Sequence, residues 1–174
     1  MLLHWNKYLI ILLLFVCGGL NAQDKAHANE LVKEGQQLFL HLKYKEALII
    51  FTSAIQADSS NENAWIKRGF TKSMLSDFEG ELNDYTHVIQ ALPNHKWAYI
   101  SRGSARNKLG KFKEAIEDFS KALEIDPKDA EAYNNRGFAK KGMGDFDGAC
   151  SDWHLSRKMG NDEAKIILNN NHCK

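Results

Sequence analysis

The sequence has two prolines, three cysteines and almost no net charge, with 23 Lys and Arg against 22 Asp and Glu over 174 residues. So few prolines exclude a proline-rich linker, and so few cysteines exclude a disulfide-dense small scaffold. The charge balance excludes the clustered basic surface with which a nucleic-acid binder neutralises phosphates. Lys7 is the only charged residue among the first 22, so the remainder is neutral overall. No HExxH, P-loop, GxSxG or dinucleotide fingerprint occurs. His41, His87 and His95 have no acid or nucleophile at a spacing that makes a catalytic pair, so no catalytic residue and no cofactor is expected. Apolar residues are nevertheless 44% of the chain, enough for a true core rather than disorder.

The one sustained apolar run is short. From Tyr8 to Leu20 there are 13 uncharged residues, whereas a bilayer-spanning helix needs about 20. A single basic residue, a short apolar run and then a small residue is the layout of a secretory signal. Residues 1–22 are therefore read as a signal peptide cleaved after Ala22, leaving Gln23 to Lys174 and an exported, periplasmic or extracellular protein. An uncleaved anchor is one alternative. A lipid on Cys17 is another, against which bulky Phe15 and Val16 stand.

The rest of the chain repeats. Gly35, Gly69, Gly103 and Gly137 are each 34 residues apart, as are Tyr44, Phe78, Phe112 and Phe146, and Phe51, Tyr85, Phe119 and Trp153. Three independent columns with one period mark a repeat architecture. Numbering each copy from Ala28, Glu62, Lys96 and Ala130 gives repeats 28–61, 62–95, 96–129 and 130–163. Helix A is expected over positions 1–14 and helix B over 17–30, with Ser76-Asp77, Gly110 and Gly144-Asp145 as turn signals. Pro93 and Pro127 at position 32 stop helix B and suit the next helix start. Glycine at position 8 and Ala47, Ala115 and Ala149 at position 20 let the two helices approach closely, while Trp65, Tyr99 and Tyr133 at position 4 fill the space between successive helices. Glu81 breaks the alanine column and is expected to reach a rim or a cation such as Arg68 or Lys72. One unit cannot cover its own apolar face, so copies must stack. Residues 162–174, with Ala164, Ile167 and Leu168 on one side, read as a capping helix and tail.

These columns resemble the tetratricopeptide repeat family over residues 28–161. The resemblance implies an all-α fold: a right-handed superhelix, or α-solenoid, of four helix pairs plus the cap, with the A helices lining a concave groove. The family's groove positions fall here on Gln36, Lys67, Phe70, Ser73, Trp97, Ser104, Asn107, Asn134, Phe138 and Lys141, with Val32, Ile66 and Ile100 expected to pack between helices instead. Trp97 and Phe138 stand out, because rigid aromatics dominate binding hot spots. The carboxylate clamp that some members use on chaperone termini is not reproduced. Repeats one to three place Val32, Gln36, Lys67, Trp97 and Ser101 there, and repeats two to four place Ile66, Phe70, Ser101, Glu131 and Asn135.

Two further patterns concern stability. Arg68, Arg102 and Arg136 at position 7 share their period with Asp84, Asp118 and Asp152 at position 23. An arginine ladder for an acidic ligand is one reading; an ion pair between helices A and B in each repeat is favoured, since both partners recur together. Cys150 and Cys173 lie about equally far from the turn near residue 160, within reach of a disulfide that would stabilise the cap by roughly 3 kcal/mol. A zinc site from Cys150, His154, His172 and Cys173 is the rival reading, and it suffers from the adjacency of its last two members.

The expectation is therefore a non-enzymatic exported module that binds a protein or peptide in its groove. A self-assembling envelope component and, behind it, a metal-binding protein are the alternatives. Oligomeric state is left open.

Overall fold

The computed structural model describes residues 3–173, with side chains from 22 to 173. The side chains of residues 3–21, Cys17 among them, lie outside the described residues. Nine helices and no strand occur among the described residues: α1 Leu3–Leu40, α2 Tyr44–Ala57, α3 Glu62–Met74, α4 Phe78–Ala91, α5 Lys96–Lys108, α6 Phe112–Ile125, α7 Ala130–Gly142, α8 Phe146–Lys158 and α9 Ala164–Asn170. The first A helix thus does not begin near Ala28; α1 runs through it from Leu3, since no proline or glycine lies between Leu20 and Ala28 to break it. Among the described residues no helix is long and apolar enough to cross a membrane.

The chain forms two compact units, Met1–Thr71 and Lys72–Lys174. In the first, α2 packs on α1, and Val32, Ala54, Ile55 and Ala64 form the core with Leu31 and Trp65 beside them. In the second, each helix packs on its neighbours in sequence, from α4 through α9. Its central core joins Ile100 of α5, Ala115, Phe119, Ala122 and Leu123 of α6, and Ala132 and Ala139 of α7. The cap α9 closes over the last repeat through Leu168, which packs with Ala149 and Trp153.

The glycine column has a more specific cause than close helix approach. A Cβ on Gly35 would come within 2.7 Å of the Phe51 ring, one on Gly103 within 2.9 Å of Phe119, and one on Gly137 within 2.6 Å of Trp153. Each of these three A helices is notched at position 8 to receive the position-24 ring of its own helix B. The rings are fully buried and have nowhere to go.

The turns between A and B obey a second rule. Position 15 takes a left-handed backbone in every copy, with φ of 60° at Leu42 and Ser76, 72° at Gly110 and 83° at Gly144. Glycine adopts this freely; Leu42 and Ser76 do so under strain. After these turns Asp77 and Asp145 cap α4 and α8 by accepting the N–H groups of Gly80 at 3.0 Å and Gly148 at 2.9 Å.

Gly137→Val should push the Trp153 ring from its notch and lose about 1–3 kcal/mol through overpacking. Urea denaturation followed by circular dichroism reads this directly; unchanged stability would show that the notch is not needed.

Candidate partner-binding groove

The most built region of the second unit is ionic, and it underlies the groove. Asp118 of α6 is buried, accepts two bonds from the Arg102 guanidinium, Nε at 3.0 Å and Nη2 at 2.7 Å, and is ion-paired with Arg106 Nη1 at 2.6 Å. Asp152 of α8 repeats this with Arg136, both bonds at 2.8 Å, and Lys140 Nζ at 2.8 Å. Asp84 of α4 is held within its own unit by Lys72 Nζ at 3.0 Å. Arg68 belongs to the first unit, where its guanidinium lies 4.7 Å from the centre of the Trp65 ring.

The second cation of each cluster stands at position 11, as Lys72, Arg106 and Lys140. This column has the same 34-residue period and was not singled out from the sequence. Each of these cations also donates to the carbonyl at position 19, of Gly80, Glu114 or Gly148. The arginines reach backward as well: Arg102 Nη1 donates to Thr86 Oγ1 at 3.3 Å and Arg136 Nη1 to Ser120 Oγ at 3.1 Å, hydroxyls of the preceding helix B. One arginine therefore ties helix A to its own helix B and to the repeat before it.

Glu81 is a correction to the sequence reading. It reaches neither rim nor cation: it is 4% exposed, and Lys72 is committed to Asp84. Burial pushes its carboxyl up from the ordinary 4.5 to about 7, with a hydrogen bond from Ser73 opposing and the charge of Asp77 adding to the rise. Ser73, expected on the groove, is thus engaged with Glu81.

On the outer side of these contacts, α5, α6 and α7 enclose a depression of about 440 Å³ lined by Ser104, Asn107, Lys108, Phe112, Asn135 and Phe138. Ser104, Asn107 and Phe138 were expected on the groove, and the structure brings them together. Phe138 packs edge-on against Trp153 with ring centres 5.4 Å apart. Phe112, one of the four aromatics that recur every 34 residues, forms a wall; its ring sits so close to Gly142 that a Cβ there would meet it at 2.6 Å. Asn107 Nδ2 donates to the Asn135 carbonyl at 3.2 Å, while its Oδ1 is buried without a partner.

The other expected groove residues lie elsewhere. Trp97 is 53% exposed at the start of α5 and does not line the depression. Lys96 Nζ lies 4.9 Å from the centre of its ring and is itself anchored by Asp126 at 2.8 Å and Asp129 at 2.7 Å. The main-chain carbonyl of Asn134 accepts from Trp153 Nε1 at 3.2 Å, and its Oδ1 is a second buried oxygen without a partner. Lys141 donates to Asn171 of the cap at 2.6 Å. In the first unit Gln36 is exposed, Lys67 is half-buried, and Phe70 stacks on Phe39 with centres 5.3 Å apart. Val32 and Ile100 are buried and Ile66 is half-buried.

Cys150 of α8 and Cys173 beyond α9 form a disulfide with Cα atoms 5.5 Å apart. It occupies both thiols that a zinc site would need. Among the described residues no group of three or more His, Cys, Asp or Glu is placed to hold a metal ion.

Comparison with known proteins bears on this arrangement. A family profile described as TPR repeat matches residues 103–144, the stretch that carries the depression. Over that stretch the chain is similar to the tetratricopeptide repeat, and its helix pairs resemble the fold of proteins built from that repeat. The fold is similar to that of a tetratricopeptide repeat protein from Parabacteroides merdae at 27% identity and a TM-score of 0.75, over 83% of this chain and 59% of that one. The first such domain of Spaghetti (RPAP3), solved bound to the HSP90 peptide SRMEEVD, is 28% identical with a TM-score of 0.66, over 69% and 95%. MamA from Desulfovibrio magneticus RS-1 shares the fold at 20% identity and a TM-score of 0.73, over 78% and 77%. No curated protein matches the sequence.

Two outcomes are expected of this helical core. Asp118→Asn, which leaves two cations facing a neutral amide, should lower stability by about 3–5 kcal/mol in urea denaturation. For Glu81, the folded state holds its proton more tightly than the unfolded chain. Its contribution is therefore full below about pH 4.5, falls as pH rises through about 7, and is absent above that. Glu81→Ala should remove this dependence, so that its stability relative to the parent improves by up to about 3 kcal/mol between pH 4 and pH 8. Equal effects at the two pH values would count against the assignment.

Proposed function

We propose that this chain is an exported, non-enzymatic interaction module that holds a protein partner, as a peptide or helix, in the groove of its A helices. The observation that carries the proposal is the depression between α5 and α7, where two immobilised aromatic rings stand beside amide and hydroxyl groups. Such a mixture suits a peptide, whose side chains need apolar surface and whose backbone needs hydrogen-bond partners. The Spaghetti domain, which resembles this chain, holds a peptide in its solved complex, and this supports the same mode of action here.

Export is part of the proposal. It rests on the charge-poor apolar stretch before Ala22 and accords with a disulfide, which persists in oxidising compartments and rarely in reducing ones. The chain so delivered begins at Gln23.

A photo-crosslinking residue placed in living cells at Phe138, and separately at Trp97, tests the proposal. The expected product is one dominant foreign protein captured from position 138, attached to a chain whose N-terminus is Gln23. Capture from neither position, or of this chain alone, would transfer the proposal to self-assembly. An intact N-terminus would overturn signal cleavage.

A further inference from the structure

We infer that the Cys150–Cys173 disulfide is a site of thiol–disulfide exchange for a protein dithiol, and that its reduction unlatches α9 from the last repeat. The two cysteines are half-buried and open on a cavity of about 410 Å³, whose other walls are Asp147, Ser151, His154 and His172. All four of these wall residues are exposed. A disulfide sealed in a core resists exchange because no thiolate reaches its sulfurs; this one is approachable from solvent.

Each cysteine has a histidine as its neighbour in this wall. His154 follows Cys150 by one helical turn on the same face of α8, and His172 directly precedes Cys173. Whichever sulfur leaves, an imidazole is at hand to pass it a proton. Two imidazoles stand against the single carboxylate of Asp147, so an incoming thiolate meets little repulsion. His172 also holds a left-handed φ of 54°, which glycine adopts freely and histidine does not. In the exchange, a partner thiolate attacks Sγ of Cys173, the S–S bond breaks, and the Cys150 sulfur leaves as a thiolate that is protonated through His154. The partner's second thiol, deprotonated, attacks the mixed disulfide. Cys173 leaves and takes up the second proton, and the partner departs as its own disulfide. Two electrons pass from the partner dithiol to the cystine.

What the bond holds in place is α9. At seven residues this helix is too short to be stable alone, and no side chain caps its N-terminus. It packs on α8, where Ile167 and Leu168 meet Ala149 and Trp153, and Lys141 adds a hydrogen bond to Asn171. Cutting the bond that closes this loop returns to α9 the conformational freedom that closure removes. The last repeat then keeps or loses its cap according to the redox state around it.

The oxidised full chain is incubated with reduced dithiothreitol and, in parallel, with reduced thioredoxin. Alkylation with maleimide–polyethylene glycol counts free thiols over time, and hydrogen exchange read by mass spectrometry follows the backbone. Reduction is expected without denaturant, within about tenfold of its rate in urea. It should be about tenfold slower in the double variant His154→Gln, His172→Gln, whose melting point in the oxidised form is unchanged. Amides of α9 should lose protection on reduction, and equally in the double variant Cys150→Ser, Cys173→Ser, while those of α5 to α7 keep theirs. A bond reduced only in urea overturns the exchange site. Exchange of the histidine variant at the parent rate overturns the part given to the imidazoles. Protection of α9 that survives reduction, or that is lost together with that of α5 to α7, overturns the latch.

Discussion

The seating of a helix-B ring in a notch of helix A is the contact on which the rest depends. Without it the two helices would be held apart by the width of a Cβ, and the small residues of position 20 would have nothing to pack against. With it, the hairpin becomes a unit of fixed thickness. Trp153 is larger than Phe51 and Phe119, yet each meets glycine at the same position, so the notch accommodates the ring rather than one particular ring.

A hairpin fixed this way still presents polar groups to its neighbours, and the structure uses them to couple repeats. An aspartate carried into the interior would be costly alone. Two cations from its own helix A offset that burial, and one of them extends to a hydroxyl on the preceding repeat. Hairpin formation and stacking are then linked by the same guanidinium. Glu81 is the counterexample within the second unit: a carboxylate in an alanine position with Ser73 as its hydrogen-bonding neighbour, and the cation nearest in sequence pattern already engaged.

The depression is a by-product of this order. Because Arg106 and Lys140 turn inward to the aspartates, the groove side of α5 and α7 keeps amides, a hydroxyl, Phe138 and Lys108. Phe112 joins them from α6 because the next repeat offers Gly142 for it to rest on. The last copy has no equivalent neighbour: α9 ends at Asn170, and Phe146 remains largely exposed.

Much of this was legible as spacing. The 34-residue period alone specified helix pairs, their turns and their order, because burial of a repeated apolar face admits few solutions. The partnership of arginine and aspartate was readable for the same reason. The position-11 cations carried that signal too, at 72, 106 and 140, but lysine on a helix is ordinarily solvated, so only geometry reveals that these point inward. Trp97 and Phe138 looked alike in sequence, both aromatic on the same face. Tertiary structure separated them, since one stands at a helix start over a lysine and the other is braced in a slot whose opposite wall comes from another repeat. Periodicity determines which residues share a face; which of them enclose space together depends on how neighbouring helices cross, and that is decided only when the side chains between them are packed.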